Sequence, residues 1–592
     1  MGRGTRPKRE RPAPDPATAT PVSAHGEGAA LLVLCVLGAL AAARALLAFL
    51  PGTAFWGMNL MRFAPAIPAW TLWAAGVLVL VPGVASRVEG ALPRAARSAE
   101  GTGWAAALWV AGAAALAFAL PDRTLFVGDS ILRQNALHAP SDFAALNPQA
   151  LLPDRWLHDD LPRLLAARTG WEPLTVTRFM GALEAAAMAW LALHAARVLG
   201  TKGTRGWAVA SLVLFTGAFG LFTGYSKSLS ELSLLVAAAG VFGVEYLRTG
   251  RGLAPLGLAC AAGVAVHRLG LGMLPAFAIA LALRPPALSG ATARERAGFA
   301  FACLAPVVSL ALVGPALVRI VAEFDPQNFR GAGGGAGNAL AAALSPRRLL
   351  DSAEMVMCVG PLAPLAASAL VPSLPPAMRR ERMFVLALPL PWLLLLPFFQ
   401  PSIGIVRNWD VFAPLGVSLA LACAWGLSAI PHAGRFGRTL GLAVAVNAFV
   451  PAAVALLHHA DVASGLARVE ALLAESPPRG VSERASAWDF LGYRYVDLGR
   501  LDASAHAFSQ AAELTPSPRI LRQWAVLEEM RGRPLEAREV LRRLVARKPD
   551  EVRAWAALVR LSYALGDTAG ARRTAAAAEA AVPALRSTPP VR

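Results

Sequence analysis

The chain has 592 residues, 56% of them hydrophobic and only 16% charged, with a formal net charge of +18. Soluble globular domains carry about 25% charged residues, so this composition excludes an ordinary soluble enzyme. The basic excess does not point to nucleic acid either, because Arg and Lys collect in the short cytoplasmic loops of membrane proteins.

Residues 1–27 are Pro-rich and basic (Arg3, Arg6, Lys8, Arg9, Arg11) and read as a disordered cytoplasmic tail. No cleavable signal peptide is evident, since the first apolar run is of full spanning length. Blocks such as LLVLCVLGALAAARALLAFL and MFVLALPLPWLLLLPFF approach the roughly 20 residues a helix needs to cross a bilayer. Thirteen spans are expected, at 28–50, 62–84, 103–120, 177–199, 207–223, 229–247, 252–266, 270–283, 298–320, 352–373, 383–399, 411–430 and 439–457. The pair within 252–283 is short and reads as a broken or tilted pair. Cys35, Cys260, Cys303, Cys358 and Cys423 all lie in apolar blocks without paired spacing, as small membrane-buried side chains would.

With the N-terminus in the cytoplasm, Arg87, Arg94, Arg97, Lys202, Arg205, Arg248, Arg251, Arg294, Arg296, Arg379, Arg380, Arg382, Arg435 and Arg438 fall on the inner side. Loop 51–61, on the opposite side, has no basic residue. This fits a multi-pass protein of a bacterial-type inner (plasma) membrane whose C-terminal domain is periplasmic or extracellular. The same orientation brings five polar segments to the outer face: loop 121–176, the turn Tyr225-Ser226-Lys227-Ser228, His267-Arg268, the Gly-rich loop 321–351 and segment 401–410. Such convergence is what a shared site at the outer surface requires, although polar loops must emerge somewhere in any case.

Asp129, in the run LFVGDS, follows directly on the third span. An aspartate here could act as general base toward an acceptor hydroxyl or bind a divalent ion such as Mg2+ or Mn2+. It could equally cap a helix or pair with Arg123 or Arg133. The loop beyond it carries Arg133, Asp142, Asp154, Asp159 and Asp160, and its stretch Asp159–Ala167 is amphipathic. Cationic candidates on this face are Arg133, Lys227, His267, Arg268, Arg330, Arg347, Arg348 and Arg407, which suit charge-assisted bonds to a lipid-linked phosphate. Arg407 and Asp410 flank Trp409 at a span start and could instead pair with each other. Glu231 stands four residues after Lys227, at pairing distance, and Glu354 just after Asp351.

After a linker at 461–484, residues 485–583 repeat, and 584–592 form a tail. Trp488, Leu491, Gly492, Tyr495, Phe508, Ala511 and Pro516 mark the first unit. Leu521, Trp524, Ala525, Ala537, Leu541 and Pro549 mark the second, and Trp555, Leu558, Ala571, Ala575, Ala578 and Pro583 the third. Steps of 33 and 34 residues between the prolines match a stack of helical hairpins of the tetratricopeptide kind. Three such units are about the minimum for a stable array. The expected fold is therefore all-α: a polytopic membrane domain over 28–460 followed by a soluble array.

This layout, with Asp129 opening a long outer loop and Arg407 in the last such loop, resembles the GT-C superfamily of membrane glycosyltransferases, as in protein-mannosyltransferase-like and lipid-A-sugar-transferase-like proteins. The resemblance implies transfer of a sugar from a polyprenyl-phosphate carrier to a glycan or protein acceptor. Asp129 would then be the catalytic acid residue, with a metal ligand role open to it. Arg133, Lys227, His267, Arg268, Arg407 and Asp410 would form the surroundings of the carrier phosphate. Membrane lipids and the lipid-linked donor are the implied partners, with the repeats holding the acceptor. The chain departs from the family pattern in two ways: two spans precede the hairpin that carries the acidic loop, and Asp129 is followed by Ser130 in place of a second acid. A non-catalytic assembly factor and a lipid-linked-substrate transporter are the competing readings.

Overall fold

The computed structural model describes residues 22–92, 103–137, 143–286, 292–329, 336–370, 376–432 and 434–582. The tail at 1–21, Arg94, Arg97, Asp142, Arg330 and the tail at 584–592 lie outside the described residues. The described chain is all helical. In order, the main helices are α1 (Val22–Leu47), α2 (Ala66–Leu78), α3 (Pro82–Ala91), α4 (Gly103–Ala119), α5 (Pro173–Val198), α6 (Thr204–Leu214) and α7 (Leu229–Thr249). They continue with α8 (Leu253–Val266), α9 (Leu274–Leu283), α10 (Ala293–Arg319), α11 (Pro346–Val359), α12 (Pro376–Ala387), α13 (Ala413–Ala429) and α14 (Gly434–Ala460). Then come α15 (Val462–Ala474), α16 (Val481–Asp497), α17 (Leu501–Leu514), α18 (Pro518–Met530), α19 (Pro534–Arg547), α20 (Val552–Ala564) and α21 (Thr568–Ala581).

Each of the thirteen expected spans finds helix, but they differ in length and continuity. Among the described residues seven helices are long and apolar enough to cross a membrane, or ten if each bent pair is one span. The bends are 102° between α2 and α3, 66° between α6 and Gly217–Thr223, and 93° between α11 and Ala363–Leu370. Helices Gly103–Ala119, Leu253–Val266 and Arg268–Leu283 are too short to count. The chain is thus an all-α polytopic membrane protein. Its centre is α13, which packs against α6, α7 and Ala363–Leu370 and has 89% of its spanning window buried. Small residues allow this closeness: a side chain on Gly416 of α13 would collide with the backbone of Val359.

Beyond α14 the predicted linker contains α15, and α16 to α21 form three helical hairpins. In the first, Gly492 leaves room for the Phe508 ring, the small-against-large fit that docks the two helices of a repeat. The hydrophobic core of the membrane domain runs on into this hairpin through Ala487, Phe490, Leu491 and Tyr495, whereas the second and third hairpins share a core of their own with Phe508. The array is therefore seated on the membrane domain by its first unit.

Candidate functional site

The chain leaves α4 through a tight turn. The Asp122 carboxylate accepts from the backbone N–H of Thr124 (2.8 Å) and Leu125 (3.0 Å). Leu125 is held at φ +60° and Gly128 at φ +48°, a conformation costly for the leucine and natural for the glycine. Gly128 is needed for a second reason: a Cβ there would lie 3.0 Å from the Tyr225 hydroxyl and 3.1 Å from an Asp410 oxygen. This turn delivers Asp129 to the start of the short helix Ser130–Ala136. Its side chain does not cap that helix, and among the described residues the carboxylate makes no hydrogen bond or ion pair. Asp129 is half-buried, and its negative charge acts on Arg133, Tyr225 and Arg407.

Around Asp129 the other polar segments meet. Asp410, fully buried, accepts from the Tyr225 hydroxyl at 2.5 Å and from Lys227 Nζ at 3.0 Å, both through Oδ2. Its Oδ1 is buried with no hydrogen-bond partner. Arg133, 1% exposed, is clasped by both oxygens of Asp154 (3.1 and 3.0 Å) and also donates to the Ser226 carbonyl at 3.0 Å. Asp154 accepts further from the Ser228 N–H at 3.1 Å. Burial alone would raise the Asp154 pKa, but Arg133 and His158 hold its carboxyl well below the usual carboxylate range. Burial pushes the Tyr225 phenol well above its usual value, helped by the negative charges of Asp410 and Asp129. His267 is pushed well below 6.5 by burial and then by Arg268 and Lys227, so it is neutral near pH 7. Its Nδ1 accordingly accepts from the Leu269 N–H at 3.2 Å.

The geometry changes several of the pairings read from the sequence. Arg407 does not pair with Asp410. Its Nε donates to the Phe126 carbonyl (3.1 Å) and its Nη1 to the carbonyl and hydroxyl of Ser486 on α16 (3.1 and 2.7 Å), between the rings of Phe126 and Phe490. Lys227 does not pair with Glu231, which instead meets His158 Nε2 at 3.2 Å and accepts from the Ser230 hydroxyl at 3.0 Å. Arg268 binds Asp325 at 3.0 Å, Arg348 donates to the Pro397 carbonyl, and Arg347 donates to the Pro478 carbonyl. Asp129 pairs with neither Arg123 nor Arg133. Asp351 and Glu354 both hold Arg479, at 2.6 and 3.2 Å.

Among the described residues no group of three or more His, Cys, Asp and Glu side chains could hold a metal, and the charges nearest Asp129 include two arginines.

Two cavities open beside this cluster. The smaller, with room for about one water molecule, is lined by Ser130, Gln134 and Tyr225. The larger, about 90 Å³, is mainly apolar, with Met58, Met61, Val450 and Val454 on its walls. Asp122, Val127, Gly220, Trp409 and His459 line both. The larger cleft also carries Arg44 and Arg468, which the sequence reading missed. Arg468 sits in the presumed linker, and its contacts come from loop 51–63, far away in the chain.

With this geometry in view, a family model described as tetratricopeptide repeat matches residues 518–561, within the second and third hairpins. The chain is similar to two solved structures of ArnT from Cupriavidus metallidurans. The one bound to undecaprenyl phosphate is 13% identical, with 76% of this chain and 82% of that chain covered and a TM-score of 0.40. The apo form is 11% identical, with 76% and 81% covered and a TM-score of 0.35. No curated protein matches the sequence. Likeness of this degree carries no functional argument, which rests on the residues themselves.

Proposed function

We propose that the protein is a membrane glycosyltransferase that moves a sugar from a polyprenyl-phosphate carrier to an acceptor on the array side of the membrane. The observation that carries this reading is Asp129: a half-buried carboxylate that, among the described residues, makes no hydrogen bond or ion pair, near Lys227 and Arg133 that each have a carboxylate of their own. Asp129 itself lines neither cavity, but Val127 and Ser130 on either side of it line the smaller one, and an uncommitted carboxylate so placed can accept a proton. In the reaction the acceptor oxygen bonds to the sugar's anomeric carbon as its proton passes to Asp129. The bond from that carbon to the phosphate oxygen breaks, and the phosphate leaves with its electron pair on the carrier. The adjoining apolar cleft suits the hydrocarbon of such a carrier. The raised phenol of Tyr225 stays protonated beside the chamber.

The array side is proposed to be periplasmic or extracellular, in a bacterial inner membrane, with the N-terminus cytoplasmic. An Ala145→Cys variant should then react with a membrane-impermeant thiol reagent added outside intact cells, and an Arg87→Cys variant should not.

The test of function is a panel of polyprenyl-phosphate sugars offered to the purified protein with glycan and peptide acceptors. Sugar transfer with release of the polyprenyl phosphate supports the reading. If no donor is used across a broad panel, the protein is the non-catalytic assembly factor considered from the sequence.

A further inference from the structure

The cations expected to receive a phosphate are largely committed. Lys227 is held by Asp410, Arg133 by Asp154, Arg268 by Asp325, and Arg407 by Ser486 and the Phe126 carbonyl. Arg468 is different. It is 4% exposed, lies on α15, and stacks with its guanidinium carbon 3.7 Å from the centre of the Trp56 ring. Its Nη2 donates to the Trp56 carbonyl and to Asn59 Oδ1 (3.1 Å). Its Nε is buried with no partner, and among the described residues Nη1 makes no hydrogen bond and no carboxylate is in ion-pair contact. The nearest acids acting on it include Glu354, whose Oε2 is taken by Arg479. Burial pulls Arg468 down to about 9, so it is still charged near pH 7.

Arg468 and Arg44 line the same large cleft. Arg44 makes one hydrogen bond, to the Pro361 carbonyl at 2.5 Å, and likewise no ion pair among the described residues. Two guanidinium groups without counter-ions in a mainly apolar cleft are costly unless an anion joins them. Between them and the apolar walls the cleft offers both charge and hydrocarbon contact.

We infer that Arg468 and Arg44 hold the anionic headgroup of a single amphiphile whose hydrocarbon occupies the cleft, making this the phosphate site in place of the cations near Asp129. The inference deepens the proposed function and rests on it for naming a phosphate, while the geometry stands alone. Lipid phosphate and free phosphate share the headgroup chemistry, and the cleft's apolar walls select the lipid. α15 also bears Glu470, which accepts from the Tyr495 hydroxyl of the first repeat, so the helix that grips the headgroup also seats the array.

The test measures ligand-induced shifts in thermal midpoint for the full-length protein in a neutral detergent, using farnesyl monophosphate, farnesol and inorganic phosphate as probes. Farnesyl monophosphate should stabilise the protein saturably, and the other two should not at the same concentrations. Arg468→Gln should weaken that binding about ten- to a hundredfold, the range for loss of a charge-assisted contact, Arg44→Gln should weaken it in the same direction, and Arg468→Lys should lose less. Each variant's midpoint without ligand reports its folding, so Arg44→Gln decides the matter if Arg468→Gln does not fold. Unchanged affinity in both glutamine variants overturns the inference, as does equal stabilisation by farnesol or by inorganic phosphate. Binding needs no turnover, so a protein that transfers no sugar can still pass this test. A protein that transfers sugar but binds the probe equally well in both variants fails it while the proposed function stands.

Discussion

Two sets of charged groups share the array face and differ in how completely they are matched. Around Lys227 and Arg133 every cation has a carboxylate: Asp410 takes Lys227 and a phenol, and Asp154 takes both arms of Arg133, a histidine and a backbone N–H. Asp129 and Arg468, by contrast, have no ion-pair partner among the described residues. The difference separates shape from chemistry. A buried charge held by its counter-ion fixes the geometry of the loops that carry it, and cutting one partner costs more than the pair contributes. A charge without a counter-ion, at the wall of the cleft for Arg468 and beside the smaller cavity's lining residues for Asp129, keeps its interaction energy for a ligand.

That contrast can be sharpened by breaking the matched set first. Asp154→Asn leaves Arg133 buried with half its clasp and no neutralising charge, and should destabilise the protein by about 3–5 kcal/mol in a mixed-micelle unfolding titration. Arg407→Gln removes its charged bonds to Ser486 and Phe126 and should cost about 1.5–3 kcal/mol. Because those bonds tie α16 to the membrane domain, the variant should also release the array to limited proteolysis faster than the parent. Gly128→Ala forces a side chain into a left-handed turn facing Tyr225 and Asp410, and should cost about 1–2 kcal/mol in the same titration.

The smallest effect concerns pH. His267 is held below its usual pKa, so the unfolded chain takes up its proton near 6.5 while the folded protein does so only at lower pH. Stability contributed by this position is present above pH 6.5 and is lost as pH falls below it. His267→Gln should flatten the fall of the thermal midpoint between about pH 6.5 and 5, measured against the parent in the same detergent.

Much of the architecture was legible because hydrocarbon spans and helical repeats both write themselves as periodic or block composition. The bends were not, since α2–α3, α6 with Gly217–Thr223, and α11 with Ala363–Leu370 break within apolar sequence that reads as continuous. In the site, the sequence brought Asp129, Arg133, Lys227, His267 and Asp410 to one face through their placement at span ends. Their pairings were not readable from spacing. Arg407 and Asp410 are three residues apart, yet the turn at Trp409–Phe412 sends one toward Ser486 and the other toward Tyr225 and Lys227. Arg468 gave no signal of its own, because a lone arginine in GLARVEALL looks like the solvated face of a linker helix until Trp56 and Asn59 are folded against it.

The claim that open valences do the chemistry is tested most directly by one paired measurement on Asp129→Asn: its thermal midpoint in detergent and its sugar-transfer rate from a polyprenyl-phosphate donor, on the same preparation. No hydrogen bond or ion pair is lost among the described residues, only the longer-range attraction to Arg133 and Arg407, so the midpoint should fall little below the parent's. The transfer rate should fall by about 10²–10⁴, the usual value of a positioned proton acceptor. A folded Asp129→Asn protein that transfers sugar at the parental rate would contradict the account.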